Sequence, residues 1–174
     1  MPRFHPWKNP MGAIQLAKET GINLVLTGEM SNHPEHIRHG KECLEVIKGY
    51  DNISYVALPQ DSRHQAMKRD LMANAKGFLN PILFHESFGL TTIEALSCGT
   101  PVISYAMGAL PEIIKHGETG FLCKNYEEFK NYVKVIDEIN PKDCRKDVMV
   151  RFSREVMAKN YETLLLQLRD GLTW

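Results

Sequence analysis

Residues 85–103 read HESFGLTTIEALSCGTPVI, and this stretch is the strongest indication of the fold in the sequence. Glu86 and Glu94 stand on either side of a small-residue turn, and a Gly-Thr-Pro break then leads into an apolar segment. A glycine in such a turn lets the backbone approach a ligand, and the helix that follows offers unpaired N–H groups to an anion. We therefore predict a strand, a ligand-binding turn, a helix and a second strand, in this order.

Outward from this stretch, short apolar segments of strand length alternate with segments of helical periodicity. Asn9-Pro10 precedes a helix that closes at Gly21, Pro34 begins a second helix, and Asp61 caps a third. Apolar strands between helices are typical of a parallel sheet covered on both faces. The predicted strands are 23–27, 53–57, 78–83, 102–105 and 120–123, and further helices begin near Asn125, Asn140 and Ser153.

The predicted fold class is therefore α/β, a Rossmann-like doubly wound parallel sheet with helices on both faces. We see no linker or repeat that divides residues 1–174, which we predict to form a single domain. Such folds normally open with a strand, yet the first helix begins directly after Asn9. We expect the first strand to be missing. The sheet edge that it leaves would be covered by more of the same polypeptide or by a neighbouring chain, including a second copy in a homo-oligomer.

The composition excludes several classes of function. Of the 174 residues, 43% are hydrophobic and 24% charged, which is typical of a folded soluble domain. Lys and Arg number 21, as do Asp and Glu, so no overall positive charge favours nucleic acid. No apolar run reaches the roughly 20 residues of a membrane span, and the cysteines lack metal-site spacing. We expect a cytoplasmic protein, and peripheral docking at a membrane surface stays open.

The two glutamates indicate what the turn binds. Carboxylates repel phosphate but accept hydrogen bonds from sugar hydroxyls, whereas the amides between Glu86 and Glu94 suit phosphate. A sugar-bearing nucleotide offers both kinds of group. The motif alone favours a different interpretation, because Thr91-Thr-Ile-Glu94 matches a capping box, in which Glu94 only reaches back to the helix start.

Five motifs occur in one order: Glu86-Ser-Phe-Gly-Leu, Glu94-Ala-Leu, Cys98-Gly-Thr-Pro-Val-Ile, Gly108-Ala-Leu-Pro-Glu-Ile-Ile and Gly117-Glu-Thr-Gly-Phe-Leu. Arg3 and Lys8 precede them in RFHPWK, and RFSREVMAKNYETLL follows. In order and spacing these motifs resemble the carboxyl-terminal domain of family 4 (group 1) retaining glycosyltransferases of the GT-B fold. The resemblance covers nearly the whole chain.

This resemblance implies a domain that binds a nucleoside-diphosphate sugar, whose glycosyl unit is transferred with retention to an acceptor hydroxyl. The implied catalytic residues are Arg3 and Lys8, which neutralise the donor diphosphate, and Glu86, which contacts hydroxyls of the transferred sugar. The resemblance implies no cofactor and no metal ion. The implied donor-binding residues are Glu94 for the ribose, Ser87, Phe88, Gly89, Leu90 and Thr91 for the phosphates and sugar, and Gly28, Ala57 and Leu58 beside the nucleoside.

The sequence departs from the family pattern at two positions and over one domain. Ala57 stands where the family usually has glycine, and Ile82 follows Pro81 where serine is common. The family's amino-terminal domain, which binds the acceptor and supplies a catalytic histidine, is absent from these residues. We therefore expect the chain alone to be inactive without that domain or a separate acceptor-binding subunit.

Other interpretations stay open. The chain could be a stand-alone sugar-nucleotide-binding subunit, or a GT-B relative such as an epimerase or a phosphorylase. A dinucleotide oxidoreductase is disfavoured because no G-x-G-x-x-G follows a strand. Two side-chain clusters have simpler explanations: we expect His33, His36 and His39 to be exposed rather than to bind metal, and Arg63, His64, Lys68 and Arg69 to form a solvated basic helix face.

Overall fold

The computed structural model describes residues 4–28 and 33–171, and they form an α/β fold. Helices and strands alternate up to the last strand, and helices follow it. The strands are β1 (Leu24–Thr27), β2 (Ile53–Val56), β3 (Phe78–Asn80), β4 (Val102–Tyr105) and β5 (Gly120–Cys123). The α-helices are α1 (Pro10–Thr20), α2 (Pro34–Ile47), α3 (His64–Ala73), α4 (Leu90–Ser97), α5 (Leu110–Ile113), α6 (Tyr126–Val133), α7 (Pro141–Phe152) and α8 (Arg154–Arg169).

All strand pairs among the described residues are parallel, which confirms the predicted fold class. The sheet differs from the prediction because it is divided into two parts. β1 pairs with β2, and β3, β4 and β5 pair in that order, but in the described part of the chain β1 and β3 are not bonded to each other. β3 is also shorter than predicted, since Pro81 has no N–H and cannot extend the ladder beyond Asn80.

Each part of the sheet has its own apolar core, and α1 contacts both cores. Ala13, Ile14 and Ala17 of α1 pack with Leu24 and Leu26 of β1. Leu16, on the same helix, belongs instead to the larger core around β3, β4 and β5. Leu79 of β3 packs against both clusters. The helix therefore spans the division between the two sheets.

Several helix ends follow the capping signals in the sequence, but the prediction that Asp61 caps α3 is wrong, because the N-cap residue of that helix is Arg63. The Asn9 side chain accepts a hydrogen bond from the N–H of Gly12 at 3.0 Å, and α1 closes at Gly21 in the left-handed region, with φ of 70°. Asn125 caps α6 and Ser153 caps α8 in the same way. These signals are local in the sequence, and the predicted helix starts at Pro10, Pro34 and Pro141 are confirmed.

The last helix, α8, differs from the others in its burial. The predicted apolar stripe of Met157, Tyr161, Leu164 and Leu168 lies on this helix, but none of the residues of α8 is buried. Met157 and Tyr161 expose more than half of their surface. None of the described helices combines the length and apolar character needed to cross a membrane.

Candidate functional site

A large cleft opens at the carboxyl ends of the strands, where open parallel sheets bind their ligands. Its volume is about 1460 Å³, and its lining includes the residues of β1 and β3. The predicted site residues that line it are Lys8, Ala57, Leu58, Glu86, Gly89 and Thr91. Gly28, Ser87, Phe88, Leu90 and Glu94 are not part of the lining, and Arg3 lies outside the described residues.

The cleft mouth holds an ion pair between Lys8 and Glu86. Lys8 ends a short 3-10 turn, and its Nζ lies 2.9 Å from Oε2 of Glu86 and 4.4 Å from the ring centre of Phe84. The carbonyl of Trp7 accepts a hydrogen bond from the N–H of Leu83 at 2.8 Å, which joins the segment before α1 to the loop that follows β3. The Glu86 side chain is only 19% exposed, so Lys8 balances a largely desolvated carboxylate.

Gly89 brings the amino terminus of α4 to the same cleft. Its φ is 84°, in the left-handed region that favours glycine. A Cβ at this position would lie 2.8 Å from Cδ1 of Ile113, so the turn is also tightly packed on α5. By helix geometry, the N–H groups of Leu90 and Thr91 at the start of α4 have no acceptor within the helix. The turn thus has the geometry of the anion site that the sequence predicts.

Gly108 is a site residue whose role the sequence analysis missed. The N–H of Ala109 donates to the carbonyl of Glu86 at 2.8 Å. Gly108, with φ of 59°, lies so close that a Cβ on it would approach the backbone of Glu86 within 3.0 Å. The Gly108-Ala-Leu-Pro-Glu motif was part of the resemblance, but its contact with Glu86 depends on the tertiary fold. Gly108 therefore holds Glu86 in position.

Glu94 is not engaged in a capping box. The N-cap residue of α4 is Gly89, and the Glu94 carboxylate instead accepts a hydrogen bond from Nζ of Lys68 at 2.6 Å. Lys68 lines the cleft and its side chain is only 10% exposed. Lys68 thus joins α3 to α4 and fixes one oxygen of Glu94 beside the cleft.

The prediction of a solvated basic face on α3 is wrong for two of its four residues. His64 and Lys68 are buried, because α3 packs against α4 on that side. The Nδ1 atom of His64 lies 3.0 Å from the carbonyl oxygen of Pro59. Lys68 stands four residues before the partly buried Met72, on one helix face, and this spacing was the signal that the sequence offered.

His36 of α2 and the N-cap residue His33 form an aromatic cluster with His5. The ring centres of His5 and His36 are 4.1 Å apart, and those of His33 and His36 are 4.8 Å apart. Over residues 4–28 and 33–171, no group of three or more His, Cys, Asp or Glu side chains is arranged to hold a metal ion. The pKa of His5 is lowered from its ordinary value by burial and by the neighbouring His36.

Comparison with known proteins places these features in a family. N-acetyl-alpha-D-glucosaminyl L-malate synthase of Bacillus anthracis is 34% identical over 94 residues, which are 49% of this chain and 25% of that protein. The structure of Anabaena HepE in complex with UDP has a TM-score of 0.76 at 19% identity, covering 94% of this chain and 47% of that one. The carboxyl-terminal domain of a group 1 glycosyl transferase (LpcC) of Francisella tularensis has a TM-score of 0.72 at 21% identity, covering 87% and 83%.

The two structural likenesses show the fold. This chain spans a quarter of the length of the Bacillus protein and about half of the Anabaena chain, but most of the Francisella domain. The model of the family described as glycosyl transferases group 1 matches residues 1–154. With the parallel α/β fold and the motifs around Glu86 and Glu94, this match shows that the chain belongs to the group 1 glycosyltransferases.

Proposed function

We propose that this chain is the donor-binding half of a retaining glycosyltransferase that uses a nucleoside-diphosphate sugar. The observation that carries the proposal is the ion pair of Lys8 with Glu86 on the same cleft as the amino terminus of α4. A cation and unpaired helix amides suit a diphosphate, and a carboxylate suits the hydroxyls of the attached sugar. The UDP in the Anabaena HepE structure supports a nucleoside diphosphate as the ligand.

In this proposal, donor binding rearranges the ion pair. The diphosphate binds the amides at the start of α4 and Nζ of Lys8, and the Glu86 carboxylate then accepts hydrogen bonds from the sugar. During transfer, the bond between the anomeric carbon and the diphosphate oxygen breaks, and a bond to the acceptor oxygen forms on the same face, while the proton of the acceptor hydroxyl passes to the departing diphosphate oxygen. Lys8, joined by Arg3, stabilises the negative charge that develops on the departing diphosphate.

The nucleoside part of the donor occupies the side of the cleft that faces α3. Glu94, whose one oxygen is held by Lys68, offers the other to the ribose hydroxyls. Ala57 and Leu58, which follow β2 and line the cleft, border the base, and Gly28 follows β1 at the same end of the sheet. Because Lys8 supplies the positive charge, we propose that no metal ion or other cofactor is needed.

The acceptor side of the enzyme is proposed to lie on another domain or subunit. The chain spans about half of the Anabaena structure, so a second half is expected. The exposed apolar residues of α8 are the surface that we assign to this contact, since α8 buries none of its residues against the rest of the described chain. The four free cysteines support a reducing compartment, which we propose to be the cytoplasm.

Thermal unfolding with UDP-, GDP-, ADP- and TDP-sugars, checked by calorimetry, tests the donor site. A ligand at a hundredfold excess over its Kd adds about 2.7 kcal/mol to the free energy of unfolding. We expect one nucleotide to be selected, and the same Kd in EDTA as in Mg²⁺. Free sugars and nucleoside monophosphates serve as controls. If no donor shifts unfolding while the chain is folded, the proposal is wrong.

Two alternative functions, an epimerase and a stand-alone binding subunit, would bind the same donor but differ in what happens to it. An epimerase would convert the sugar nucleotide without an acceptor, and a stand-alone binding subunit would leave it unchanged even when joined to the rest of the polypeptide. Incubation of the donor with the chain, alone and joined to its acceptor domain, separates them. We expect glycosyl transfer only in the joined protein.

A further inference from the structure

The short helix α5 supports the donor site at two points. Its buried residues Leu110 and Ile113 lie under the turn before α4, where a Cβ on Gly89 would be 2.8 Å from Cδ1 of Ile113 and 3.2 Å from Cδ2 of Leu110. Directly before α5, the N–H of Ala109 donates to the carbonyl of Glu86. The position of α5 therefore affects both the amides at the start of α4 and the loop that carries Glu86.

α5 has only four residues, so it depends on other elements for its stability. The carbonyls at the carboxyl end of a helix have no donor within the helix. Here the carbonyl of Ile113 accepts a hydrogen bond from Nη1 of Arg151 at 3.2 Å, and the carbonyl of Glu112 accepts one from Nη2 of the same side chain. A positive charge at this end of a helix is also favourable. Arg151, on α7, thus completes the end of α5.

The direction of the Arg151 side chain is fixed by Asp147, one turn earlier on α7. Oδ2 of Asp147 lies 2.8 Å from Nη1 of Arg151, and Oδ1 lies 2.7 Å from Nζ of Lys115, which follows α5. Burial alone would raise the pKa of Asp147, but the hydrogen bonds from Lys115 and Arg151 outweigh it and hold this pKa below its ordinary value. The charged carboxylate therefore binds α7 to the segment around the end of α5.

We propose that Arg151, oriented by Asp147, is a positioning residue of the donor site. Arg151 is not part of the cleft lining, so it acts through α5. Its guanidinium holds the end of α5, and α5 in turn holds the turn at Gly89 and the backbone of Glu86. This inference rests on the proposed function, because it assigns a residue to the donor site of that function.

Amide hydrogen exchange tests the connection without any ligand. Arg151→Met keeps a long apolar side chain but removes the guanidinium. We expect exchange at Ala109 to accelerate about tenfold more than exchange at Phe78, because the loss of a hydrogen bond to a charged group favours local opening. Phe78 is the reference because its N–H is bonded to the carbonyl of Pro101 within the sheet.

The matched control is Lys130→Met. Its side chain is 29% exposed, as is that of Arg151, and it is paired with Glu19 of α1 rather than with α5. We expect this variant to change exchange at Ala109 and Phe78 by the same factor. An Ala109 rate in Arg151→Met that changes no more than the Phe78 rate would overturn the inference, and so would a selective increase at Ala109 in Lys130→Met.

Nucleotide binding tests the consequence for the site. UDP, GDP, ADP and TDP are each titrated into the unchanged chain by calorimetry, and the tightest binder is then titrated into the variants. We expect Arg151→Met to bind it about tenfold more weakly, because the amides at the start of α4 are held less firmly. Asp147→Asn should weaken binding in the same direction but by less, since Arg151 keeps its carbonyl partners. Lys130→Met should leave the affinity unchanged.

The two measurements separate the inference from the proposed function. If none of these nucleotides binds the unchanged chain, the proposed function is wrong, and exchange at Ala109 alone decides whether Arg151 positions the Glu86 loop. If the unchanged chain binds and Arg151→Met binds equally well, the inference is wrong. Should Arg151→Met fail to fold, Arg151→Lys takes its place, because an ammonium lacks the planar fork that bonds both carbonyls. Unchanged exchange at Ala109 in Arg151→Lys would contradict the proposal.

Discussion

Nζ of Lys8 lies 2.9 Å from Oε2 of Glu86, although 78 residues separate them in the sequence. The pair brings together a residue that precedes the first helix and a residue of the turn before α4. The sequence assigns opposite partners to these two groups, since the ammonium suits the diphosphate and the carboxylate suits the sugar. In the structure they neutralise each other, and under the proposed function the donor replaces both halves of one ion pair.

Replacing Glu86 and Glu94 by glutamine, one at a time, should distinguish the contribution of the sugar to the donor affinity from that of the nucleotide. Glu94→Gln is expected to weaken the selected nucleoside diphosphate and its sugar derivative alike, between about tenfold and about a hundredfold, because a hydrogen bond to a charged group contributes about 1.5–3 kcal/mol. Glu86→Gln should weaken only the additional affinity that the sugar confers. Calorimetry with the selected nucleoside diphosphate and with its sugar derivative measures both effects, and the exposed Glu118→Gln is the control. Unchanged binding in both variants would contradict the two-carboxylate site.

The Lys68–Glu94 pair should contribute to both stability and binding. Lys68→Met leaves Glu94 without its partner, and because the Glu94 side chain is 40% exposed to water we expect a loss of only about 1 kcal/mol in the free energy of unfolding. The matched control is Lys76→Met, whose pair with Asp137 is exposed and should contribute less than about 0.5 kcal/mol. Denaturant unfolding measures these changes.

The Lys68–Glu94 pair should also affect the affinity for the nucleotide. Lys68→Met should weaken binding of the selected nucleoside diphosphate, and its effect should not add to that of Glu94→Gln, because the lysine acts by holding the carboxylate. Additive losses in the double variant would show that Lys68 contacts the nucleotide independently.

Gly108 and Gly117 provide a matched pair of glycines with positive φ. Their φ values are 59° and 81°, so alanine at either position costs about 1–2 kcal/mol in backbone strain. At Gly117 the added Cβ meets no described atom within 4 Å, whereas at Gly108 it would collide with the backbone of Glu86. We expect Gly108→Ala to weaken the sugar-dependent part of donor binding and Gly117→Ala to leave it intact. Equal effects on binding would mean that Gly108 does not position Glu86.

Thiol labelling should distinguish one cysteine from the other three. Burial raises the pKa of Cys43 and Cys144 to about 11 and that of Cys123 to about 12, so these thiols stay protonated and shielded at neutral pH. Cys98 is partly exposed. An aromatic disulfide reagent should therefore modify one thiol rapidly in the folded chain and all four in denaturant. Cys98→Ser should abolish the rapid phase, and its persistence would show that another cysteine is accessible.

Several elements followed directly from the sequence because their causes are local. Asn9-Pro10 and Gly21 set both ends of α1, and Pro81 ends β3, through backbone restrictions that need no distant partner. The positive φ at Gly89 follows from the small-residue turn. Other features could not be predicted in this way. The burial of Lys68 depends on how α3 packs against α4, and the contact of Gly108 with Glu86 depends on two loops that meet only in the folded chain.

The sequence by itself determined the parallel α/β class, the ends of several helices and the order of motifs that defines the family, because periodicity and capping act over a few residues. The tertiary structure alone decided the partners of the charged groups: Lys8 with Glu86, and Lys68 with Glu94 rather than a capping box. It also decided that β1 and β3 are not bonded to each other in the described part of the chain. Ion pairs and strand neighbours join distant residues, and their choice is set by which surfaces the packed elements bring face to face.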